Sequence, residues 1–273
     1  MYKAKKSLGQ NFLKSAAIVG RIAKASNIKE GGMVLEIGPG KGILTKALLL
    51  TGAIVVAVEK DMNLIPNLLE KFKNEINEKR LFLINADILD ISIVEIFSIH
   101  SPLITSHYYK LVANIPYYIT GEILRKFLES KFQPQSMVVL VQKEVAKRIV
   151  ATDKKESILS LSVKAYGEPR YIETVKRKMF SPSPNVDSAI LLIDKISKSF
   201  FEKNGISEEQ FFKTIKAGFA HKRKMAIGNL KKTFPENKNI EKIFEENKIP
   251  LKARAEDISL ENWALIAKYL KQS

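Results

Sequence analysis

The chain has 273 residues, more than a single core usually needs, so one large core with a smaller appended module is expected. Its composition, 45% hydrophobic and 27% charged, is that of a folded globular protein; no apolar run approaches the roughly 18 residues that span a bilayer, and the absence of cysteine excludes disulfides, thiolate metal sites and cysteine nucleophiles. With 45 Lys+Arg against 29 Asp+Glu the formal net charge is +16, which draws the chain toward polyanions through counterion release, nucleic acid foremost.

Residues 1–6 are basic but are followed by no apolar stretch with a small-residue cleavage site, so a cytoplasmic protein is expected rather than a secreted one. Residues 16–25 have helical spacing, and 33–37 form a short apolar run ending in a glycine cluster, which reads as helix and then strand. Helical spacing resumes over 42–50, residues 53–58 are β-branched, 63–78 are amphipathic and helical, and 81–84 are strand-like. The alternation continues with a strand at 111–113, a helix around 123–128, a strand at 137–141 and a helix at 143–149. Such repetition predicts a doubly wound α/β sheet. Two further β-rich stretches, 171–176 and 188–193, lack long flanking helices and are expected to add an antiparallel pair at the sheet edge.

From 195 to 205 runs a charged connector, and beyond it only helical patterns follow. Ser207 with Gln210 fits a capping box, Phe211, Phe212 and Ile215 form an apolar stripe, and Ser259 can cap a last helix carrying Trp263, Leu265 and Ile266. The domain division is therefore placed at 1–198 and 199–273. Residues 200–232 hold eight Lys/Arg against three Glu, whereas the seven basic residues after them are balanced by seven acidic ones, so the tail's basic excess is local.

The first strand of this series runs into Glu36-Ile37-Gly38-Pro39-Gly40-Lys41-Gly42, where glycines allow a tight turn and close approach to a ligand at the sheet's carboxyl edge. A dinucleotide fingerprint is disfavoured, because Ile43 occupies the position at which G-x-G-x-x-G requires its third glycine. The E-x-G-x-G-x-G form resembles the nucleotide loop of class I methyltransferases, with Glu36 suited to a cationic ligand. Glu59 ends the second strand and can accept from both hydroxyls of a ribose, with Lys60 beside it. Asp87 ends the third and can accept from an adenine amino group, with Ile88 against the ring. The alternative reading is that these glycines only punctuate turns and the acids only cap helices.

The fourth strand enters Asn114-Ile115-Pro116-Tyr117. An exocyclic adenine nitrogen is a poor nucleophile because its lone pair is delocalised into the ring, so a catalyst must favour the rehybridised nitrogen of the transition state. The Asn114 side-chain oxygen and the Ile115 carbonyl can each accept one amine hydrogen, Pro116 stiffens the turn, and Tyr117 offers a ring on which the base stacks. No side-chain base is required. Phe180, ahead of the two-proline segment Ser181-Pro182-Ser183-Pro184-Asn185-Val186-Asp187, is expected to close over the base from the other side, with a core aromatic as the alternative.

Taken together, these motifs resemble the KsgA-type small-subunit rRNA adenine dimethyltransferases over nearly the whole chain. Ser7-Leu8-Gly9-Gln10-Asn11-Phe12-Leu13 is similar to the family's opening motif, and the glycine loop, Glu59, Ala86-Asp87, N-I-P-Y, Gln142-Lys143-Glu144 and F-S-P-S-P-N-V-D follow in the family's order. The resemblance implies a class I (Rossmann-like) methyltransferase sheet with a small all-helical C-terminal domain. It implies S-adenosyl-L-methionine as cofactor, with Gln10, Asn11 and Leu13 at its methionine part and Asn114 beside it; no metal is expected of a chain with no cysteine and three His. It implies dimethylation of two adjacent adenines near the 3′ end of 16S rRNA in the immature small ribosomal subunit; for the oligomeric state, which the sequence does not fix, a monomer is the default expectation. Phe219-Ala220-His221-Lys222-Arg223-Lys224 is similar to the family's basic helix start and makes Lys222, Arg223 and Lys224 expected RNA contacts, although His221 replaces the usual Gln and Met225-Ala226 the common Thr-Leu. Three rivals stay open: the related large-subunit (23S) rRNA enzyme that confers macrolide resistance, a non-catalytic RNA-binding assembly factor on the same fold, and a small-molecule methyltransferase.

Overall fold

The computed structural model describes residues 4–5, 8–98, 108–237 and 239–271. Ser7 of the opening motif, with residues 1–3 and 6, lies outside them. In chain order the elements begin with β1 (Phe12–Leu13), α1 (Ala16–Ser26), β2 (Met33–Ile37), α2 (Ile43–Leu49) and β3 (Ile54–Glu59). There follow α3 (Ile65–Lys71), α4 (Lys73–Asn77), β4 (Leu81–Asn85), α5 (Ile93–Ser98), β5 (Tyr109–Asn114) and α6 (Thr120–Leu128). Next come β6 (Ser136–Gln142), α7 (Lys143–Val150), α8 (Ile158–Lys164), β7 (Glu168–Val175), β8 (Phe180–Ser181) and β9 (Ser188–Asp194). The chain ends with α9 (Ser199–Asn204), α10 (Glu208–Gly218), α11 (Ala226–Thr233), α12 (Ile240–Glu246) and α13 (Leu260–Lys271).

Two compact units emerge, one of residues 1–146 with 170–196 and one of 147–169 with 197–273. The first is built on a seven-stranded sheet of order β4-β3-β2-β5-β6-β9-β7. Strands β4 through β6 pair in parallel, β9 runs antiparallel to β6, and β7 lies next to β9 at the sheet edge, where the two β-rich stretches were expected. The chain moves outward from β2 to β4 on one side and then returns to place β5 on the other. That reversal puts a crevice at the carboxyl ends of β2 and β5, where open α/β sheets bind ligands. Strand β2 is buried from Val34 to Ile37 and β5 from Leu111 to Ala113, as suits strands covered on both faces. The helix expected over 63–78 is two helices that meet at Phe72, whose φ of −114° breaks the helical path while its ring is buried.

The second unit is built mainly of helices. Residues 147–169, which the sequence division left with the sheet, group with the tail: the Tyr166 hydroxyl donates to Glu208, its ring stacks on Phe212 at 6.1 Å, and the Glu156 amide donates to the Glu256 carbonyl at 2.8 Å. Helix α9 occupies part of the segment read as a connector, because Phe200 and Phe201 pack edge-on against Phe211. Ser207 caps α10 by accepting from the Gln210 amide at 3.1 Å. The Gln210 side chain, however, donates to the Ala267 carbonyl, so only half of the expected capping box forms. Trp263 is fully buried, and its ring lies where a Cβ on Gly218 would sit, 2.0 Å from Cη2.

Candidate active site

A cleft at the carboxyl edge of the sheet is lined by the ends of β2, β3, β4 and β5 and, along another side, by residues 8–13. Of the residues singled out from sequence, Gln10, Asn11, Leu13, Gly38, Gly40, Glu59, Lys60, Asp87, Ile88, Asn114, Ile115, Pro116 and Tyr117 line it. Their convergence follows from parallel pairing in register: Glu36 lies beside Val112 and Ile37 beside Ala113, so the loop after β2 and the turn after β5 leave the sheet side by side.

Three expected residues are elsewhere. Glu36 is fully buried beneath the loop rather than in the cleft, beside Thr45 on α2. Burial pushes its carboxyl up to about 8, from an ordinary 4.5. Gly42 is also outside the lining; at φ 72°, a Cβ there would lie 2.5 Å from the Phe72 ring, so this glycine serves packing. Phe180, 2% exposed, sits in the hydrophobic core, since β8 pairs with β1 and sets Phe180 opposite Leu13. The core alternative for this aromatic is the one the structure adopts.

Gly38 has φ 67° and nothing within 4 Å of the position a Cβ would take, which leaves the loop bare toward the cleft. Glu59, 6% exposed, accepts the Gly40 amide at 3.0 Å on one oxygen and the Asp61 amide at 2.9 Å on the other. Each oxygen keeps a further lone pair for a ligand. Burial raises its carboxyl. Asp87 accepts the Leu89 amide at 3.0 Å and pairs with Lys60. Burial works to raise the Asp87 carboxyl, but Lys60 and that amide outweigh it and hold it below the usual carboxylate range.

The acceptor turn is fixed by two side chains. Asn114 Nδ2 donates to the Asn11 carbonyl at 3.0 Å, so its oxygen is the free end of the amide among the described residues. The Tyr117 hydroxyl meets Ser188 Oγ at 2.7 Å, and Ser188 is fully buried. Burial pushes the Tyr117 phenol up, keeping it neutral.

Sequence reading passed over several contributors. Phe12 and Tyr118 both line the cleft; Lys41 Nζ stands 5.1 Å above the Phe12 ring, and Tyr118 packs where a Cβ on Gly9 would lie, 3.0 Å away. Lys126 on α6 donates to the carbonyls of Leu89 at 2.9 Å and Ile91 at 2.6 Å, holding the segment after Asp87. A lysine on an amphipathic helix carries no sequence sign of that task.

In the helical unit, Lys222, Arg223 and Lys224 are exposed in the turn between α10 and α11, not at a helix start, and form no ion pair among the described residues. Asn229, 3% exposed, holds that turn by donating to the carbonyls of Gly218 at 2.7 Å and His221 at 3.2 Å.

Comparison with known proteins gives a consistent picture. The family described as "Ribosomal RNA adenine dimethylase" matches residues 1–272. The chain is 44% identical over 262 residues to Ribosomal RNA small subunit methyltransferase A of Dehalococcoides mccartyi, covering 96% of this chain and 86% of that one. To the protein of the same name from Fusobacterium nucleatum it is 39% identical, over 98% and 97% of the two chains. Among solved structures, a dimethyladenosine transferase from Plasmodium falciparum superposes with a TM-score of 0.77 at 22% identity, covering 93% of this chain and 95% of that one. The 23S rRNA methyltransferase ErmE does so with 0.75 at 24%, covering 96% and 100%. Both likenesses concern the fold.

Proposed function

The chain belongs to the ribosomal RNA adenine dimethylase family, and from that premise we propose that it uses S-adenosylmethionine to dimethylate the exocyclic amines of two adjacent adenines near the 3′ end of 16S rRNA in the immature small subunit. The observation that carries the reading is the Asn114 amide, whose nitrogen is committed to the Asn11 carbonyl at 3.0 Å, leaving its oxygen as an acceptor in a cleft that also holds Tyr117.

The cleft residues fit that cofactor: a loop bare of side chain at Gly38, a buried acid at Glu59 and a second acid at Asp87 on successive strand ends. Glu59 has lone pairs for two ribose hydroxyls, and Asp87 with Ile88 suits an adenine ring. Gln10, Asn11 and Leu13 would hold the methionine part. When bound, S-adenosylmethionine supplies an electrophilic methyl group.

The chain's own residues orient the acceptor. Asn114 Oδ1 and the Ile115 carbonyl accept the two amine hydrogens of the target base, which turns the nitrogen lone pair out of conjugation. Pro116, at φ −56°, stiffens the turn that presents them. Tyr117, its hydroxyl tied to Ser188, supports the ring of the base. Neutral acceptors suffice because the amine proton leaves to water after transfer. For the second methylation one acceptor gives up its hydrogen bond while stacking retains the base. The exposed Lys222-Arg223-Lys224 turn supplies contacts to RNA phosphates.

The test is transfer of labelled methyl groups into small subunits isolated from cells that lack the modification, with large subunits in parallel, followed by mass mapping of the labelled nucleotides. The reading expects dimethyladenosine at two neighbouring positions near the 3′ end of 16S rRNA. Label confined to 23S rRNA, or binding with no transfer, overturns it.

A further inference from the structure

Asp61 is 2% exposed, two residues past Glu59 and outside the cleft lining, and nothing in the chemistry above uses it. A buried carboxylate costs several kcal/mol unless its lone pairs are satisfied, so what it holds is informative. Oδ1 accepts from Lys5 Nζ at 2.8 Å and from the Asn63 amide at 3.1 Å, and Oδ2 accepts from Gln10 Nε2 at 2.8 Å. The Gln10 amide is fixed at its other end as well, because its Oε1 accepts the Lys5 amide at 2.8 Å. Lys5 and Gln10 are thus tied to each other, and the Leu8 amide adds a bond to the Lys5 carbonyl at 3.2 Å.

This tie is one end of a strap. The other end is β1, held by pairing with β8 and by the Lys14 amide donating to the Met179 carbonyl at 2.8 Å. Between the two lies Asn11, whose carbonyl receives the Asn114 amide. The Asp61 amide in turn donates to Glu59 Oε1 at 2.9 Å. Hydrogen bonds, joined by the peptide link from Gln10 to Asn11, therefore connect the acid expected at the cofactor ribose to the amide expected at the target amine.

We propose that Asp61 is a positioning residue that latches Lys5 and Gln10, and with them the cleft wall formed by residues 8–11, and through the Asn11 carbonyl keeps the oxygen of Asn114 presented to the acceptor base. The proposal rests on the functional reading above for what occupies the cleft. Asp61 touches neither reactant. Its removal takes away the charged anchor at the Lys5–Gln10 end of the strap, so the wall of the cofactor cleft loosens and the Asn11 carbonyl becomes a less fixed partner for the Asn114 amide.

The experiment is Asp61→Asn, which keeps the shape and removes the charge paired with Lys5. Charge-assisted hydrogen bonds are worth about a tenfold to hundredfold change in an equilibrium, so affinity for S-adenosylhomocysteine by calorimetry should fall by roughly that much. kcat should fall at least tenfold, while the KM for small subunits stays within about twofold. Amide hydrogen exchange at residues 8–13 should accelerate in the variant with no ligand present, with exchange in β2, β3 and β5 unchanged; this readout separates failure of the latch from failure of the cofactor assignment. Lys5→Met lies on the strap outside the sheet and the cleft lining and should reproduce the same split more weakly, and it should add little to Asp61→Asn. It carries the test if Asp61→Asn does not fold. Unchanged exchange at residues 8–13, a proportional rise in KM for RNA, or fully additive losses would each overturn the proposal.

Discussion

The side-chain nitrogen of Asn114 and the backbone oxygen of Asn11 lie 3.0 Å apart, and this contact decides which end of the Asn114 amide is available for chemistry. A carbonyl can only accept, so the amide must present its N–H₂ to Asn11 and its oxygen to the cleft. Asn114→Ala removes an acceptor that acts on the rehybridised amine, and loss of one such preorganised group lowers kcat by roughly a hundredfold to a thousandfold. Asn114→Asp keeps the oxygens but sets one against the Asn11 carbonyl, so it should be about as impaired as Ala. Single-turnover methylation of small subunits measures both; an active Asn114→Asp would refute the orientation argument.

The contact between the Tyr117 hydroxyl and Ser188 Oγ at 2.7 Å links the acceptor turn to the start of β9. Ser188→Ala leaves a half-buried phenol without its partner, a loss of about 1 kcal/mol, and frees the ring to rotate. Ser188→Ala and Tyr117→Phe should therefore lower kcat severalfold. Tyr117→Ala also removes a stacking platform worth about 1–3 kcal/mol per base and should weaken RNA binding as well. Steady-state kinetics with varied RNA distinguishes the two patterns.

Much of this cleft is legible in sequence because parallel β/α repetition brings every strand's carboxyl end to one edge. Glu59, Asp87 and Asn114 could be placed together from their strand-end positions alone. What escapes is set by contacts distant in sequence or too short to show a period. β1 and β8 have two residues each, below any alternation signal, yet their pairing decides that Phe180 turns into the core. Phe72 keeps the helical apolar spacing while breaking the helix, because its ring fills the space that the bare Cα of Gly42 leaves. Glu36 belongs to a glycine-loop pattern suggestive of ligand contact, but strand alternation at the end of β2 turns its side chain away from the cleft and into the interior.

That burial gives Glu36 a measurable pH signature. Its carboxyl lies at about 8 in the folded protein against an ordinary 4.5, so the folded chain keeps a proton that the unfolded chain has released. The proton's contribution to stability is complete at low pH, declines once the unfolded state begins to ionise, and is gone above about 8. Glu36→Gln is neutral at every pH and carries no such term. The melting temperature of the parent relative to Glu36→Gln should therefore fall as pH rises from acid toward 8 and level off beyond it. Parallel profiles would show that Glu36 titrates as an ordinary acid.

Phe180→Ala separates a core aromatic from a base-stacking one. Deleting a buried phenyl ring costs about 3–5 kcal/mol of stability, so a large drop in melting temperature is expected. Below that temperature the ratio of monomethyl to dimethyl product should match the parent, since the ring is 2% exposed and outside the cleft lining. Mass spectrometry of the product nucleosides reads the ratio. Accumulation of monomethyladenosine in the folded variant would mean that the ring leaves the core during turnover.

At the exposed turn Lys222-Arg223-Lys224, salt is the variable that isolates the contribution of the three cations to RNA binding. Each phosphate neutralised by a cation releases condensed counterions, which sets a slope of about 0.9 in log K against log salt for duplex contacts and about 0.7 for single strands. None of the three side chains has an ion pair among the described residues, so their charges are not already spent within the protein. Replacing all three with Ala should weaken small-subunit binding and lower the salt slope by about 2 to 3, if each cation meets one phosphate. Affinity for S-adenosylhomocysteine should not change, because no residue of the turn lines the cleft. Asn229→Ala provides the complementary case: it keeps all three charges but frees the Gly218 and His221 carbonyls that hold the turn, so it should weaken binding while leaving most of the slope intact. Equal slopes for the triple variant and the parent would place the RNA elsewhere on the chain.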